Sequence, residues 1–250
     1  MTSLLQVGDV CKRFGALRVV ENFTFDVAEG EALGIVGPNG AGKTTLLNLI
    51  AGDLRPDTGT VSFAGQDITT LPAHARCHLG IGRTAQIPRP FEGLTVFENV
   101  LVGSTFGSRG RLSTTRDAAA IAALERAGML DKANIVAGSL RLLDRKRLEL
   151  ARALATQPTL LLLDEIAGGL TEGEVLELVE TIKEIRAGGV SIVWIEHIVH
   201  ALLRVVDRMV AVDAGRKLIE GDPHAVMTSN EVRAVYLGDD LADESAAGPS

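Results

Sequence analysis

The stretch from residue 31 to residue 51 constrains the fold more than any other part of this 250-residue chain. Residues 31–37, EALGIVG, read as a buried strand that enters a glycine-rich turn, and a helix is predicted from Lys43 to about Ala51. A buried strand that passes through a tight glycine turn into a helix is typical of an open α/β sheet. The sequence therefore predicts an α/β fold built around this turn.

The turn itself, GPNGAGKT, matches the pattern G-x-x-x-x-G-K-[ST] between a strand and a helix. Glycines let the backbone curl so that successive N–H groups and the start of the helix face an anion. Lys43 would place its charge on the β and γ phosphates of a nucleotide, and the Thr44 hydroxyl would ligate Mg²⁺. A chance glycine-rich turn is the alternative. The predicted phosphate-binding loop comprises Gly37, Pro38, Asn39, Gly40, Ala41, Gly42, Lys43 and Thr44.

Acidic residues follow a second apolar strand, LLLLDE, at the end where open α/β sheets place their ligands. Asp164 is predicted to hold Mg²⁺, and Glu165 to act as general base toward water. A solvated acidic turn is the plainer alternative. A third apolar strand, VSIVWIE, is followed by His197, which a parallel arrangement would bring to the same edge, although a lone histidine there is more often structural.

The remaining pattern divides the chain into a core and an inserted lobe. Alternating apolar stretches near 4–10 and 19–27 are typical of antiparallel edge strands, whereas helical spacing replaces the strand signals in the middle of the chain. We predict a single domain over 1–238, with its core at about 1–86 and 157–238, a helical lobe at about 87–156, a flexible loop at 103–115 and a loose tail at 239–250.

Composition excludes some classes of function. The net charge of −7 leaves no broad basic surface for nucleic acid. No segment reaches the roughly 18 to 20 apolar residues that cross a bilayer, and the start of the chain lacks the pattern of a signal peptide. Cys11 and Cys77 fit neither a metal motif nor a disulfide framework. We expect a cytoplasmic chain with no nucleic-acid partner.

The order of these motifs resembles that of a known family. Asp164 lies 121 residues after Lys43, and His197 lies 33 residues further on, with the helical insertion between the first two. Over about residues 4–238, the chain resembles the nucleotide-binding subunits of ABC transporters. The resemblance implies a P-loop ABC ATPase fold with a mixed sheet core, an antiparallel β subdomain and an inserted helical lobe. It also implies ATP and Mg²⁺ as ligands.

The resemblance implies roles for further side chains. Phe14, in CKRFGAL, looks like the aromatic residue that stacks on adenine, although by itself it would read as a core phenylalanine. Gln86 looks like the glutamine that meets Mg²⁺ and the attacking water at the hinge between core and lobe. His197 looks like the switch histidine on the γ phosphate, and Thr45 would add a hydroxyl near the α phosphate. The implied catalytic set is Lys43, Gln86, Glu165 and His197.

A narrower resemblance concerns the transported solute. The stretches RTAQIPRPFEGLTVFENVLVG, LDEIAGGL, IEH, VVDRMVAVDAGRKLIEGDP and VRAVYLG look like the ATP-binding subunits of branched-chain amino-acid importers and of related urea and short-amide importers. The resemblance implies membrane-spanning permease subunits and a second ATPase subunit as partners, and indirectly a solute-binding protein. The chain would then lie as a peripheral protein on the cytoplasmic face of the membrane.

One segment, SLRLLDRKRLELARALA at 139–155, departs from the family pattern. In the family, a Leu-Ser-Gly-Gly-Gln signature reads the γ phosphate held by the other subunit. Only the leucine is retained here, and loss of one oxyanion-type donor costs roughly 10² to 10³ in rate. An arginine in the serine position could offer its charge to the phosphate, but a surface arginine before a helix is the plainer interpretation. The aligned residues are Leu140, Arg141, Leu142, Leu143 and Asp144.

The degenerate signature leaves alternatives open. We favour an energy-coupling ATPase that pairs with a different ATPase subunit, so that this chain supplies the intact loop and its partner the intact signature; a homodimer stays open. A regulatory ATP-binding subunit with little turnover is the second hypothesis, which the retained Glu165 and His197 oppose. An ATPase acting on ribosomes or DNA generally has two nucleotide domains or a coiled-coil insertion, and a GTPase has an Asn-Lys-x-Asp motif; the sequence contains none of these.

Overall fold

The computed structural model describes residues 3–107 and 115–235. The strands are β1 (Ser3–Phe14), β2 (Leu17–Ala28), β3 (Ala32–Val36), β4 (Thr58–Phe63), β5 (Gln66–Asp67), β6 (Ile81–Arg83), β7 (Leu160–Asp164), β8 (Ser191–Ile195), β9 (Arg208–Asp213) and β10 (Arg216–Gly221). The helices are α1 (Lys43–Ala51), α2 (Ala73–Leu79), α3 (Val96–Phe106), α4 (Arg116–Arg126), α5 (Leu142–Leu154), α6 (Glu172–Ala187), α7 (Val199–Leu202) and α8 (Pro223–Thr228). Residues 230–235 are also helical.

Within the described residues, the strands form two sheets. One is antiparallel, with the order β2-β1-β4-β5, and the other has the order β10-β9-β3-β8-β7-β6. In the second sheet β10 pairs antiparallel with β9, whereas the remaining neighbours pair in parallel. The predicted α/β fold, with a mixed sheet core and an antiparallel β subdomain, is therefore confirmed.

Strands β3 and β7 are buried along their whole length. Their apolar side chains project from both faces of the sheet, and both faces are covered by other elements. Successive residues of β7 alternate between two cores: Leu160 and Leu162 pack with the antiparallel subdomain and α1, whereas Leu161 and Leu163 pack with the helical lobe and α6. The mixed sheet is therefore the layer shared by both cores, and it sets the positions of the loops at its edge.

Helices α3, α4 and α5 lie within the range predicted for the helical lobe. Thr95 begins α3 with a capping box to Glu98, and the Thr115 side chain caps α4. No side chain caps the start of α5, where Arg141 takes the N-cap position. None of the helices in the described ranges is both long and apolar enough to cross a membrane.

The loop predicted at 103–115 is wrong at its start, because α3 continues to Phe106. The glycine that suggested a break serves helix packing instead: a Cβ on Gly103 would lie 2.5 Å from the carbonyl oxygen of Arg152 on α5. Residues 108–114 of this loop, the predicted tail at 239–250 and the end of the VRAVYLG stretch lie outside the described residues.

A truncation on β7 tests this packing. Leu161 is fully buried, so Leu161→Ala should lower the free energy of unfolding by about 2–5 kcal/mol through lost transfer energy and a residual cavity. Leu218 on β10 is 38% exposed and serves as the control, because Leu218→Ala should change stability by only about 0.5 kcal/mol. Urea unfolding measures both variants. Equal losses would contradict the central position of β7.

Candidate nucleotide-binding site

The glycine loop between β3 and α1 borders a cavity of about 290 Å³. Its shape requires glycine at two positions. Gly42 begins α1 with a φ of 97°, and a Cβ there would lie 2.3 Å from the Val19 carbonyl oxygen. A Cβ on Gly37 would lie 2.1 Å from the Val212 carbonyl oxygen. The loop is therefore pressed against β2 and β9, and residues 39–45 face the cavity.

Lys43 is almost fully buried at the start of α1. Its Nζ donates hydrogen bonds to the carbonyl oxygens of Gly37, at 2.7 Å, and Pro38, at 2.9 Å. Those acceptors belong to the loop itself, so the loop holds the ammonium at the cavity wall. A buried positive charge beside a curve of backbone N–H groups suits a polyphosphate anion.

Thr44 and Asp164 bring two oxygen atoms together beneath the loop. The Thr44 hydroxyl donates to Asp164 Oδ1 at 3.4 Å, while Asp164 Oδ2 accepts from Arg83 Nη2 at 3.1 Å. Burial raises the pKa of Asp164 above its ordinary value, and the charge of Arg83 opposes that shift. A hydroxyl beside a carboxylate is a hard oxygen pair of the kind that Mg²⁺ prefers, so the residues fit the predicted metal.

Glu165 and Gln86 meet at the cavity wall. Gln86 Nε2 donates to Glu165 Oε2 at 2.6 Å, although the two residues are 79 positions apart. Glu165 adopts a left-handed backbone with a φ of 45°, and its N–H donates to the Ile195 carbonyl oxygen at 2.9 Å. The turn after β7 therefore directs this carboxylate into the cavity next to the phosphate loop.

His197 and Phe14 are among the predicted site residues that do not line this cavity. His197 follows β8 with a side chain that is 54% exposed, outside the ring of residues around the cavity. Phe14 lies at the end of the β1–β2 hairpin opposite Leu17, and it is 48% exposed with the Lys12 ammonium 5.8 Å from its ring centroid. The interpretation of Phe14 as a core residue is therefore wrong, because the residue is half-exposed at the end of the hairpin.

The segment aligned with the family signature is used largely by the packing of the lobe. Leu140 and Leu143 are buried in the lobe core, and Asp144 Oδ1 accepts from Lys132 Nζ at 2.5 Å. Arg141 and Leu142 are the exposed members. The start of α5 therefore presents a guanidinium and an apolar side chain where the family presents a hydroxyl and glycine N–H groups.

Sequence reasoning missed Glu196, which is fully buried between β8 and His197. Its Oε2 accepts from the Ala167 N–H at 3.0 Å, and its Oε1 accepts from the His197 N–H at 3.0 Å and lies 3.1 Å from His197 Nδ1. Burial raises the pKa of Glu196, and these backbone hydrogen bonds oppose the shift. The signal was an acidic residue directly after an apolar strand, and it indicates a carboxylate that orients the histidine.

Arg83 was also missed. It ends β6 and pairs with both Asp164 and Asp53, the latter at 2.5 Å. A basic residue after the apolar start of β6 was the visible signal, but its carboxylate partner on β7 is 81 positions away. Arg83 therefore holds the oxygen of Asp164 that does not face Thr44.

A glycine loop that opens a helix, a strand that ends at Asp164 and is followed by Glu165, and a helical lobe inserted between them define a P-loop ATPase of the cassette type. The family model described as "ABC transporter" matches residues 20–168, which is more than half of the chain. The chain belongs to the ABC transporter family, and it is an ATPase subunit of that family.

Curated relatives cover nearly the whole chain. LivG of Salmonella typhimurium, a high-affinity branched-chain amino acid transport ATP-binding protein, is 37% identical over 94% of this chain and 98% of LivG. LptB of Acidithiobacillus ferridurans, a lipopolysaccharide export system ATP-binding protein, is 35% identical over 96% of this chain and 98% of LptB. BraF of Pseudomonas aeruginosa, named like LivG for branched-chain amino acid transport, is 33% identical over 94% and 98%.

Solved structures agree with the fold. The ADP conformation of MJ1267, an ATP-binding cassette of an ABC transporter, matches with a TM-score of 0.87 and 29% identity over 95% of this chain and all of that one. A dimeric post-hydrolysis state of the cassette MJ0796 with ADP and Pi matches with a TM-score of 0.77 and 25% identity over 88% of this chain and 98% of that one.

The raised pKa of Asp164 predicts how stability depends on pH. A carboxyl group whose pKa is raised on folding stabilises the fold when protonated, and that contribution is lost as pH rises through the folded-state pKa. Asp164→Asn should therefore be at least as stable as the wild type at pH 7, and the difference should shrink toward pH 4. Arg83 keeps Asp53 as a partner in this variant.

Asp57 is the matched control because its pKa is lowered by hydrogen bonds from the Lys12 side chain and the Arg13 backbone. The ionised Asp57 carboxylate stabilises the fold at neutral pH, and this stabilisation is lost as pH falls through its pKa. Asp57→Asn should therefore be less stable than the wild type at pH 7. Thermal unfolding of the protein without nucleotide at several pH values measures both variants. A large destabilisation of Asp164→Asn at pH 7 would contradict this reading of Asp164.

Proposed function

We propose that this chain binds and hydrolyses ATP at the cavity of its glycine loop and thereby powers a membrane importer. The observation that carries the proposal is the convergence of Glu165 and Gln86, hydrogen-bonded at 2.6 Å, on the wall of the cavity that residues 39–45 border. At that wall a carboxylate can accept a proton from the attacking water and an amide can orient that water, which are two tasks in the hydrolysis of a bound nucleotide.

Each group has a distinct role in this proposal. The loop N–H groups and the Lys43 ammonium bind the phosphates, and Thr44 and Asp164 hold Mg²⁺, which neutralises phosphate charge when bound. Gln86 orients the attacking water, and the Glu165 carboxylate accepts its proton. By the family resemblance, His197 contacts the γ phosphate, Thr45 lies near the α phosphate and Phe14 stacks on the adenine.

The proposed solute is a branched-chain or other hydrophobic amino acid. Support comes from LivG and BraF, which carry that function in their names and align over 98% of their own lengths. LptB, in contrast, is named for lipopolysaccharide export at a comparable identity. Urea and short amides are the second candidate class, favoured only by the family resemblance of the same motifs.

A second groove supports a permease partner. It has a volume of about 740 Å³ and lies between the α1–α2 side of the core and α3 of the lobe. Ile87 and Phe106 line it and are exposed by 66% and 72%. Gln86 and Asp164 line the same groove, so a permease segment seated there would touch the nucleotide site. A chain docked on permease subunits in this way would be a peripheral membrane protein, and the family resemblance implies the cytoplasmic face.

We further propose a heterodimer with a second ATPase subunit. Family dimers, of which MJ0796 is a solved example, bring two cassettes together. In this chain Arg141 takes the serine position of the signature, and Leu142 and Leu143 take the glycine positions. The serine hydroxyl is therefore missing, and leucine side chains stand where the family brings glycine N–H groups close to a partner's nucleotide. The loop and Glu165 of this chain would then need the signature of a different subunit. A homodimer is the competing arrangement.

Mass in solution tests the pairing. Glu165→Gln should bind Mg-ATP without consuming it, and on the heterodimer hypothesis it should remain a monomer by light scattering with saturating ATP. Lys43→Ala is the control that should lose ATP binding altogether. A stable ATP-dependent homodimer of Glu165→Gln would overturn the heterodimer hypothesis. Failure of the wild type to bind ATP would overturn the proposed function itself.

Restoring the signature provides the complementary test. The variant Arg141→Ser/Leu142→Gly/Leu143→Gly should raise the ATPase rate of the chain alone by roughly 10² or more, because it supplies the missing donors. Since Leu143 is buried, the double variant Arg141→Ser/Leu142→Gly is measured beside it and should give a smaller gain. The same changes in a Glu165→Gln background should give no gain. A wild-type rate equal to that of the restored variant would contradict the hypothesis.

A further inference from the structure

Helix α5 carries a buried lysine that contacts the backbone of both proposed catalytic side chains. Lys146 is 5% exposed, and its Nζ donates to the Gln86 carbonyl oxygen at 3.0 Å and to the Glu165 carbonyl oxygen at 3.3 Å. The lysine belongs to the helical lobe, Gln86 to the hinge after β6, and Glu165 to the turn after β7. One ammonium therefore joins three separate parts of the chain at the site.

The surroundings of Lys146 explain how a cation is retained there. Burial lowers the pKa of Lys146, and the negative charges of Glu196, Glu165, Asp164 and Glu149 oppose that shift. An ammonium has three donors and no acceptor, so carbonyl oxygens are suitable partners for it. Removing the charge would leave two carbonyl oxygens without this donor and several carboxylates without its compensation.

The contact with Glu165 falls at a strained point of the backbone. A left-handed conformation is unfavourable for a residue other than glycine, and it persists only where the surroundings impose it. On one side, the Glu165 N–H donates to the Ile195 carbonyl oxygen; on the other, the Glu165 carbonyl oxygen accepts from Lys146 Nζ and, at 3.3 Å, from the Gly168 N–H. These bonds set the direction in which the carboxylate leaves the turn.

We propose that Lys146 is a positioning residue that holds the backbones of Gln86 and Glu165 at the separation that lets their side chains meet. This inference rests on the proposed function, in which Glu165 is the general base. Lys146 also lies one helical turn after Leu142, at the start of α5. A displacement of the signature segment would therefore move the ammonium, and with it the geometry of the catalytic pair.

Hydrogen exchange of the full-length chain without nucleotide tests the positioning directly. In Lys146→Met, the backbone amides of residues 84–88 and 164–170 should exchange at least tenfold faster, with the Gly168 amide among them, whereas amides of α6 should be unchanged. Lys183→Met is the matched control, because this lysine is half-exposed on α6 and pairs only with Glu180 among the interactions described for it. Unchanged exchange in both segments, or an equal increase throughout the protein, would overturn the proposal.

Steady-state kinetics of the chain assembled with its partner subunits provides the second readout. Lys146→Met should lower kcat by about 10² with KM for ATP changed less than threefold, because misplacement of about 1 Å has an effect of that size and the phosphate loop is untouched. Lys146→Arg, which keeps a positive charge and N–H donors, should lower kcat less than Lys146→Met does. If Lys146→Met fails to fold, Lys146→Gln takes its place.

A double-mutant cycle separates positioning from a general loss of structure. If Lys146 acts through the Gln86–Glu165 pair, Lys146→Met should cost less than tenfold in a Gln86→Ala background. If the losses of kcat in Lys146→Met and Gln86→Ala multiply in the double variant, the two residues act independently and the proposal is contradicted. Absence of ATPase activity in the wild-type assembly would count against the proposed function, and hydrogen exchange would still decide the role of Lys146.

Discussion

Parallel pairing of β8 with β3 and with β7 is the interaction on which the nucleotide site depends. Ile195 lies opposite both Ile35 and Asp164, so the three strands end at one edge of the sheet. The glycine loop, Glu165 and Glu196 emerge at that edge because each follows one of these strands. A slip of one residue would turn every side chain of a strand to the opposite face and carry the Asp164 carboxylate away from Thr44.

Two basic side chains, Lys146 and Arg83, hold the residues at this edge in place, and Lys146 links the edge to the helical lobe. Lys146 on α5 donates to carbonyl oxygens at the hinge and at the turn after β7, while Arg83 at the end of β6 holds the Asp164 carboxylate. Both cations are surrounded by acids that come from other parts of the chain. The start of α5 carries the degenerate signature as well, so Leu143 supplies core packing at the point where the family places a glycine.

Local patterns were sufficient for much of the fold. The observed α1 (Lys43–Ala51) coincides with its prediction, and the apolar runs of β3, β7 and β8 were all recognisable, because burial on both faces leaves a continuous apolar stretch. The error at Gly103 has an equally physical cause. A glycine that permits close helix packing carries the same letter as one that ends a helix, and only the position of Arg152 on α5 distinguishes the two.

The sequence by itself determined the phosphate loop, because the curl at Gly37–Lys43 depends on residue types that are adjacent in the chain. It also determined that Asp164 and Glu165 would follow a buried strand. Tertiary structure alone decided that Glu165 meets Gln86, and that Lys146 and Glu196 are buried beside them. The physical reason is that a buried charge is stabilised by partners that surround it in space, and such partners include groups tens of residues away along the chain, as Gln86 is from Lys146.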